Sequence, residues 1–431
     1  MALTGRCALL ALLGVGWVAL VQPSVAGVGV WLLVLATAIA LDLLLAASPG
    51  RLTVTRAATG SVRLGEPTSS ELTVLNSGRR RLRALVRDAW QPSAGASDVR
   101  QRLDVPAGER RRVSTALLAR RRGDLRADRL TVRSLGPLRV AARQRSIATP
   151  GRLRVLPPFT SRKHLPSRLA RLREIDGRSS VNVRGQGTEF DSLRDYVAGD
   201  DVRSIDWRAT ARRSEVLVRT WRPERDRRVV LVLDTSRTAA ARVGDEPRLD
   251  AAMDAALLLA ALASRAGDRV DLIAVDRRLR ARVEGAGASS LLSALVSAMV
   301  PLQAELVEAD WSVAVGAIAG RLTQRSLVVL LTSLDSAVVE EGLLPVLGQL
   351  TRRHQVVVAS VADPEIERMS RVRTSAEDVY AAAAAERTRL ERERVARLLG
   401  RLGADVVDAS PVDLPPRLAD RYLELKAAGR L

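Results

Sequence analysis

Asp234, Ser236 and Thr238 stand at alternate positions where an apolar run, Arg228–Asp234, comes to its end. A carboxylate and two hydroxyls at that spacing put three hard oxygens on one side of a strand-to-helix turn, the donor type that Mg2+ and Mn2+ select. A complete cation site needs a further donor from a second loop. The apolar run at 326–334 leads into Thr332-Ser333-Leu334-Asp335, which makes Asp335 the candidate second carboxylate, with Asp310 and Ser312 as other candidates. The same residues also suit a plainer role, with Asp234-Thr235-Ser236 capping the turn or helix that follows.

Just upstream lies a dense charged block that includes Arg194, Tyr196, Gly199, Asp200, Asp201, Arg203, Asp206, Trp207 and Arg212. Two roles are open to it. Its charges can pair in a buried network that locks the segment against a sheet, since burying them unpaired costs several kcal/mol, of the order of 3–5. Alternatively, Trp207 and its neighbouring arginines form a docking surface, the residue types that anchor interfaces.

Other chemistries lack their residues. The single cysteine, Cys7, allows no internal disulfide and no cysteine metal cluster, and two histidines, His164 and His354, are too few for a His-rich metal site. Aromatics make up 3% of the chain, too few to build stacking platforms for single-stranded nucleic acid, so no nucleic-acid partner is expected. Gly185-Gln186-Gly187 has no strand before it and reads as a turn, not a phosphate loop.

The elements that would position these residues follow from periodicity. Residues 228–431 alternate apolar runs of strand length (228–234, 269–275, 326–334, 355–361, 405–408) with helical stretches (248–266, 289–299, 311–322, 342–353, 376–402, 413–426). That alternation implies a parallel sheet with helices on both faces, whose sites lie at the carboxyl ends of the strands. Asp234, Ser236 and Thr238 fall at such an end. Residues 51–157 instead carry short alternating runs (52–56, 71–75, 82–88, 112–118, 129–132, 138–142) punctuated by Gly, Pro and Asn, the pattern of a small β-sandwich acting as a spacer or docking domain. Residues 158–190 read as irregular and basic.

The N-terminus is apolar. Residues 7–22 and 25–47 are two runs separated by Pro23-Ser24, the second interrupted only by Asp42 and long enough to cross a bilayer. Together they predict a two-helix membrane hairpin. Arg6, Arg51 and Arg56 flank it while its turn is uncharged, which places both termini and the later domains in the cytoplasm of a two-pass protein. The alternative is a signal peptide cut after Ser24-Val25-Ala26. Asp42 is expected near the interface or inside the hairpin. The net charge of +20 is concentrated in residues 51–227, which hold 40 basic and 19 acidic residues, whereas residues 228–431 hold 27 and 28. Following a membrane segment directly, this basic region has lipid headgroups as its nearest anion.

Leu193-Arg194-Asp195-Tyr196, Gly199-Asp200-Asp201, Arg203, Ile205-Asp206-Trp207 and Ala211-Arg212 resemble the signature of the bacterial family catalogued as domain of unknown function 58. The N-terminal hairpin, Arg122-Gly123 before Leu135-Gly136-Pro137-Leu138, and the ending Tyr422-Leu423-Glu424-Leu425-Lys426 agree with it. The resemblance implies four parts: a transmembrane hairpin (1–50), a β-sandwich-like domain (51–157), a basic connector with the signature (158–227) and a von Willebrand factor A-like α/β domain (228–431). It maps that domain's metal-ion-dependent adhesion motif onto Asp234, Ser236 and Thr238, with Mg2+ as the expected cofactor. Thr stands for the last Ser of that motif, and Ser333 occupies the later acidic position, with Asp335 two residues on. Members are commonly encoded beside MoxR-type AAA+ ATPases, which implies a membrane-anchored protein-binding adaptor that works with such an ATPase in the assembly or maturation of an unnamed client. The runner-up is a metal-dependent hydrolase in which Asp234 and Asp335 hold a cation that activates water; no general base stands out, so a non-enzymatic role is expected.

Overall fold

The computed structural model describes the chain except residues 180–188, 198–199, 214, 223–226 and 323. Gly185-Gln186-Gly187 and Gly199 therefore lie outside the described residues. The chain divides into two compact units, Met1–Pro157 and Pro158–Leu431.

The first unit begins with β1 (Ala2–Leu3) and two helices, α1 (Gly5–Leu20) and α2 (Val25–Leu45). At 21 residues α2 is long and apolar enough to cross a membrane, while the 16 residues of α1 fall short of the ~20 that a span needs. The Ser24 hydroxyl caps α2 by accepting from the Gly27 amide at 3.1 Å. The helices pack tightly: Trp31 stacks on Trp17 with ring centres 5.7 Å apart and donates through Nε1 to the Leu10 carbonyl at 3.1 Å. A Cβ on Gly14 would overlap the Trp31 indole, so this crossing requires glycine.

Eight strands follow: β2 (Leu52–Arg56), β3 (Ser61–Arg63), β4 (Pro67–Asn76), β5 (Leu82–Trp90), β6 (Arg100–Val105), β7 (Arg110–Leu118), β8 (Gly123–Leu135) and β9 (Ala141–Leu156). They form a sheet ordered β1-β9-β8-β5-β6, with β3 parallel to β9, and a second sheet ordered β2-β4-β7. Period-two alternation sends Leu72, Val74 and Val113 from one sheet against Leu82, Val86, Leu130 and Val132 from the other, all buried in a common core. The expected strand at 138–142 starts only at Ala141, because residues before it make a turn whose amides are taken by Asp42. The Asp42 carboxylate accepts from the amides of Leu138 (2.8 Å), Val140 (2.5 Å) and Ala141 (3.0 Å) and is fully buried. A Cβ on Gly136 would collide with that carboxylate, so glycine permits the approach. Asp42 is thus a structural link between α2 and the sandwich.

In the second unit, the stretch expected to be irregular contains α3 (Leu165–Ser179). Leu165, Leu169 and Leu172 share a helical face, a period hidden by the many arginines, and Leu172 is buried. Two strands, β10 (Glu189–Asp195) and β11 (Leu217–Arg222), pair antiparallel around α4 (Trp207–Arg213). The central sheet comprises β12 (Arg228–Asp234), β15 (Arg269–Val275), β16 (Leu279–Val283), β17 (Leu327–Leu331), β18 (Gln355–Val361) and β19 (Ala404–Ala409), in the order β16-β15-β12-β17-β18-β19. A short helix α5 (Arg237–Ala240) and the ribbon β13 (Arg242–Val243) and β14 (Glu246–Pro247) separate β12 from α6 (Arg248–Arg265).

All neighbouring pairs in the central sheet are parallel except β15–β16, so the sheet is mostly, not wholly, parallel. The antiparallel edge escaped the sequence reading because arginines at 280 and 282 mask a half-exposed strand. The remaining helices are α7 (Leu291–Met299), α8 (Trp311–Ala319), α9 (Leu344–Thr351), α10 (Pro364–Arg371), α11 (Ala376–Arg401) and α12 (Leu414–Ala427). One face of the sheet packs Val230, Val232, Val328 and Val358 against Trp311, Leu347 and Leu399 of α8, α9 and α11. Leu231 and Leu233 point the other way and are equally buried, on the side of α6. Burying such a side chain contributes about 1.5–3 kcal/mol.

Candidate functional site

Among the parallel strands, β12 comes first in the chain, β15 lies on one side of it and the later β17 on the other. The chain therefore reverses its progress across the sheet between β12 and β17, and a crevice opens there at the carboxyl ends. Leu233 is in register with Leu331, so the next residues of the two strands, Asp234 and Thr332, emerge side by side.

Asp234 is buried and held by three donors. Its Oδ1 accepts from the Ser236 amide at 2.8 Å, and its Oδ2 accepts from Thr332 Oγ1 at 2.6 Å and Thr238 Oγ1 at 3.1 Å. Ser236 Oγ and Thr238 Oγ1 lie 3.3 Å apart. The structure thus gathers Asp234, Ser236 and Thr238 as the spacing predicts, but the second loop contributes Thr332. Asp335 is exposed, beyond the end of β17, which closes at Leu331, three residues before the expected 334. Asp310 and Ser312 are also spent elsewhere: Asp310 caps α8, accepting from the Ser312 amide at 3.0 Å and hydroxyl at 2.5 Å.

Asp234, Thr238, Thr332, Ser333 and Arg248 line one small cavity of about 20 Å³, the size of a water or a single ion. Two of these side chains carry buried polar atoms without a partner, Ser333 Oγ and Arg248 Nε. Burial, and the like charge of Arg392, push the Arg248 guanidinium below its ordinary pKa against the opposing pull of Asp363, Asp408 and Asp335. Arg392 itself is satisfied, donating to Asp408 at 2.6 and 3.1 Å and to Ser360 Oγ at 3.0 Å. Sequence reasoning missed Arg248. The signal was a cation opening a helix directly after the candidate site, behind Pro247.

The donors fit a hard divalent cation in type, since they are carboxylate and hydroxyl oxygens around an ion-sized cavity with one hydroxyl orphaned. They are poor in charge: among the described residues Asp234 is the one carboxylate lining the cavity, and Arg248 opposes a second cation there. Among the described residues, no group of three or more His, Cys, Asp or Glu side chains is placed to hold a metal.

The charged block forms an exposed brace and not a buried network. Asp206 accepts from the amides of Arg208 and Ala209, each at 3.0 Å, starting α4, and from Arg219 Nε of β11 at 2.8 Å. These partners hold its carboxyl below the usual carboxylate range. Arg194 pairs with Asp200, which also accepts from the Val197 amide at 3.0 Å, and Asp201 caps the next turn through the Arg203 amide. Arg203 and Arg212 are exposed, Tyr196 is 38% exposed and Trp207 66% exposed.

The ending Tyr422–Lys426 has a clear structural role. Tyr422 donates to Asp268 Oδ2 at 2.5 Å and Lys426 Nζ lies 3.1 Å from Asp268 Oδ1, in a buried triad that pins α12 to the turn after α6.

Comparison with known proteins agrees with the resemblance carried by the charged block. The uncharacterized proteins Mb1516 of Mycobacterium bovis and Rv1480 of Mycobacterium tuberculosis are each 27% identical over 186 residues, 42% of this chain. The chain spans 57% of the length of these curated relatives. Similar solved structures include the CARDB domain of the PF1109 protein from Pyrococcus furiosus, crystallised with di-metal ions (16% identity, TM-score 0.19, covering 24% of this chain and 86% of that one). Another is proximal thread matrix protein 1 from the mussel byssus (11% identity, TM-score 0.25, covering 46% of this chain and 45% of that one). The family model described as protein of unknown function DUF58 matches residues 192–397, and the chain carries a domain of that family there.

Proposed function

We propose that this protein is a membrane-anchored binding adaptor that works with a MoxR-type AAA+ ATPase in the assembly or maturation of other proteins. The observation that carries the reading is the state of Asp234. Its carboxylate is buried at the switch point of the sheet and engaged by three protein donors, and among the described residues no second carboxylate, histidine or lysine lines the cavity to act as acid or base. Such an arrangement suits recognition more than turnover. The sheet order, with an antiparallel edge at β16, and the Asp-x-Ser-x-Thr turn support a von Willebrand factor A-like domain.

In this reading Asp234, Ser236, Thr238 and Thr332 would hold Mg2+, which when bound offers an open position to a carboxylate of the partner. Arg248 keeps that affinity low. Exposed Trp207 and Tyr196 supply the second contact, as aromatic anchors for the ATPase. Helices α1 and α2 together would supply the anchor as a hairpin, since both the start of α1 and the end of α2 meet the sandwich, with the domains that follow on the cytoplasmic side. Capture of the ATPase by full-length protein in neutral detergent, with and without Mg2+ and ATP, tests the proposal. We expect binding that Trp207→Ala weakens at least about tenfold, the scale of a hot-spot residue. Absence of binding under every nucleotide and metal condition would overturn it.

A further inference from the structure

The outer face of the β1-β9-β8-β5-β6 sheet carries a wide groove of about 990 Å³. Strand register lays out its floor. Leu85 of β5 sits between Arg133 of β8 and Arg102 of β6, while Arg83 is opposite Asp104. Because side chains alternate across a strand, Arg83 and Leu85 share this face, as do Arg133 and Leu135. Arg6 and Arg139 complete the lining at the end where the helices enter. Asp104, the acidic residue lining the groove, is already engaged by Arg81 at 2.7 and 2.9 Å. Five arginines therefore line a floor whose middle is apolar; of these, Arg133 also donates through Nε to Gln144 Oε1 at 2.7 Å and Arg6 through Nη1 to the Leu138 carbonyl at 3.3 Å.

The position of the groove indicates its occupant. Arg6 lies in the first turn of α1 and Arg139 in the turn whose amides Asp42 of α2 receives, so this end sits at the foot of the helical pair. Above that foot the helices present exposed Leu9, Leu12, Leu32 and Leu33. A bilayer around α2 brings its headgroups to the level of Arg6 and Arg139. Guanidinium groups match phosphate oxygens in pairs, and the Leu85–Leu135 strip suits the glycerol and upper acyl carbons beneath.

We propose that this groove is a binding site for an anionic phospholipid of the bilayer that α2 enters. The proposal rests on the reading of α2 as a membrane span and takes the lipid from the leaflet on the sandwich side. Basic pockets at that level recognise acidic headgroups and not zwitterionic ones.

The test uses full-length protein in nonionic detergent, titrated with dioleoyl phosphatidylglycerol or dioleoyl phosphatidylcholine and followed by native mass spectrometry. We expect phosphatidylglycerol to be retained at least about tenfold over phosphatidylcholine, and the preference to fall with salt. The combined variant Arg83→Gln, Arg102→Gln and Arg133→Gln should remove the preference. Should it fail to fold, the single variants Arg102→Gln and Arg133→Gln, on the exposed sheet face, should each show a graded loss. Equal retention of the two lipids, or an undiminished preference in the variants, would overturn the site. Displacement of the lipid by inorganic phosphate would overturn its assignment to a membrane lipid. A chain that stays monodisperse without detergent would instead sink the membrane span itself, an outcome read separately from lipid preference.

Discussion

Thr332 donates a 2.6 Å hydrogen bond to Asp234 although the two lie 98 residues apart in the chain. Parallel register makes the bond possible, since each residue follows a member of the Leu233–Leu331 pair. Thr332→Val should leave the buried carboxylate short of one donor and cost about 1.5–3 kcal/mol, the range for hydrogen bonds to charged groups. Thr332→Ser should restore most of it. Chemical denaturation of the two variants checks this.

Arg248 lines the small cavity in which the proposed divalent cation would sit, so the two would compete for it. Arg248→Ala should therefore tighten Mn2+ binding, and Asp234→Asn should abolish it in either background. Electron paramagnetic resonance titration of full-length protein reads free Mn2+ directly. An identical affinity in wild type and Arg248→Ala would mean that the guanidinium does not oppose the ion.

The Asp268–Tyr422–Lys426 triad is buried, so its members are not equivalent to surface charges. Lys426→Met strands the Asp268 carboxylate and should cost about 3–5 kcal/mol, as breaking a buried pair does. Tyr422→Phe removes the bond donated to Asp268 and the longer one accepted from Lys426, and should cost about 1–3 kcal/mol. Urea unfolding curves for the two variants should separate in that order.

His354 gives the second unit a defined acid sensitivity. Burial and the neighbouring Arg353 hold its imidazole below the ordinary 6.5, and its Nδ1 is buried without a partner. The folded chain thus resists protonation that the unfolded chain accepts. This contribution is fully present above pH 6.5 and is lost as the pH falls through that value towards the lower folded pKa. His354→Gln should flatten thermal stability between pH 7 and pH 5, measured against wild type by calorimetry.

Strong periodicity made much of the fold legible. The runs at 228–234 and 355–361 became strands with the expected bounds because burial on both faces leaves them nearly free of polar residues. Elements disguised by arginine were missed: α3, whose leucines are spaced among cations, and β16, which alternates charge with apolar residues at a sheet edge. At the site, Asp234, Ser236 and Thr238 were readable because they are local to one turn. Thr332 taking the position expected of Asp335 was not, because it depends on where β17 ends, and only tertiary register fixes that. The charged block misled in one respect: its pairs look like a core network in sequence, yet they brace an exposed ribbon and leave Trp207 open.

The clamp between Asp42 and the amides of Leu138, Val140 and Ala141 decides what kind of anchor α2 would make if it crosses a membrane as proposed. A flexible tether would let a domain wander over a hemisphere above the membrane. Here the last turn of the helix is bonded into the sandwich itself, so the two would move together. Tilting α2 in a bilayer would then tilt the sandwich with it, and no flexible linker would separate the sandwich from the membrane surface.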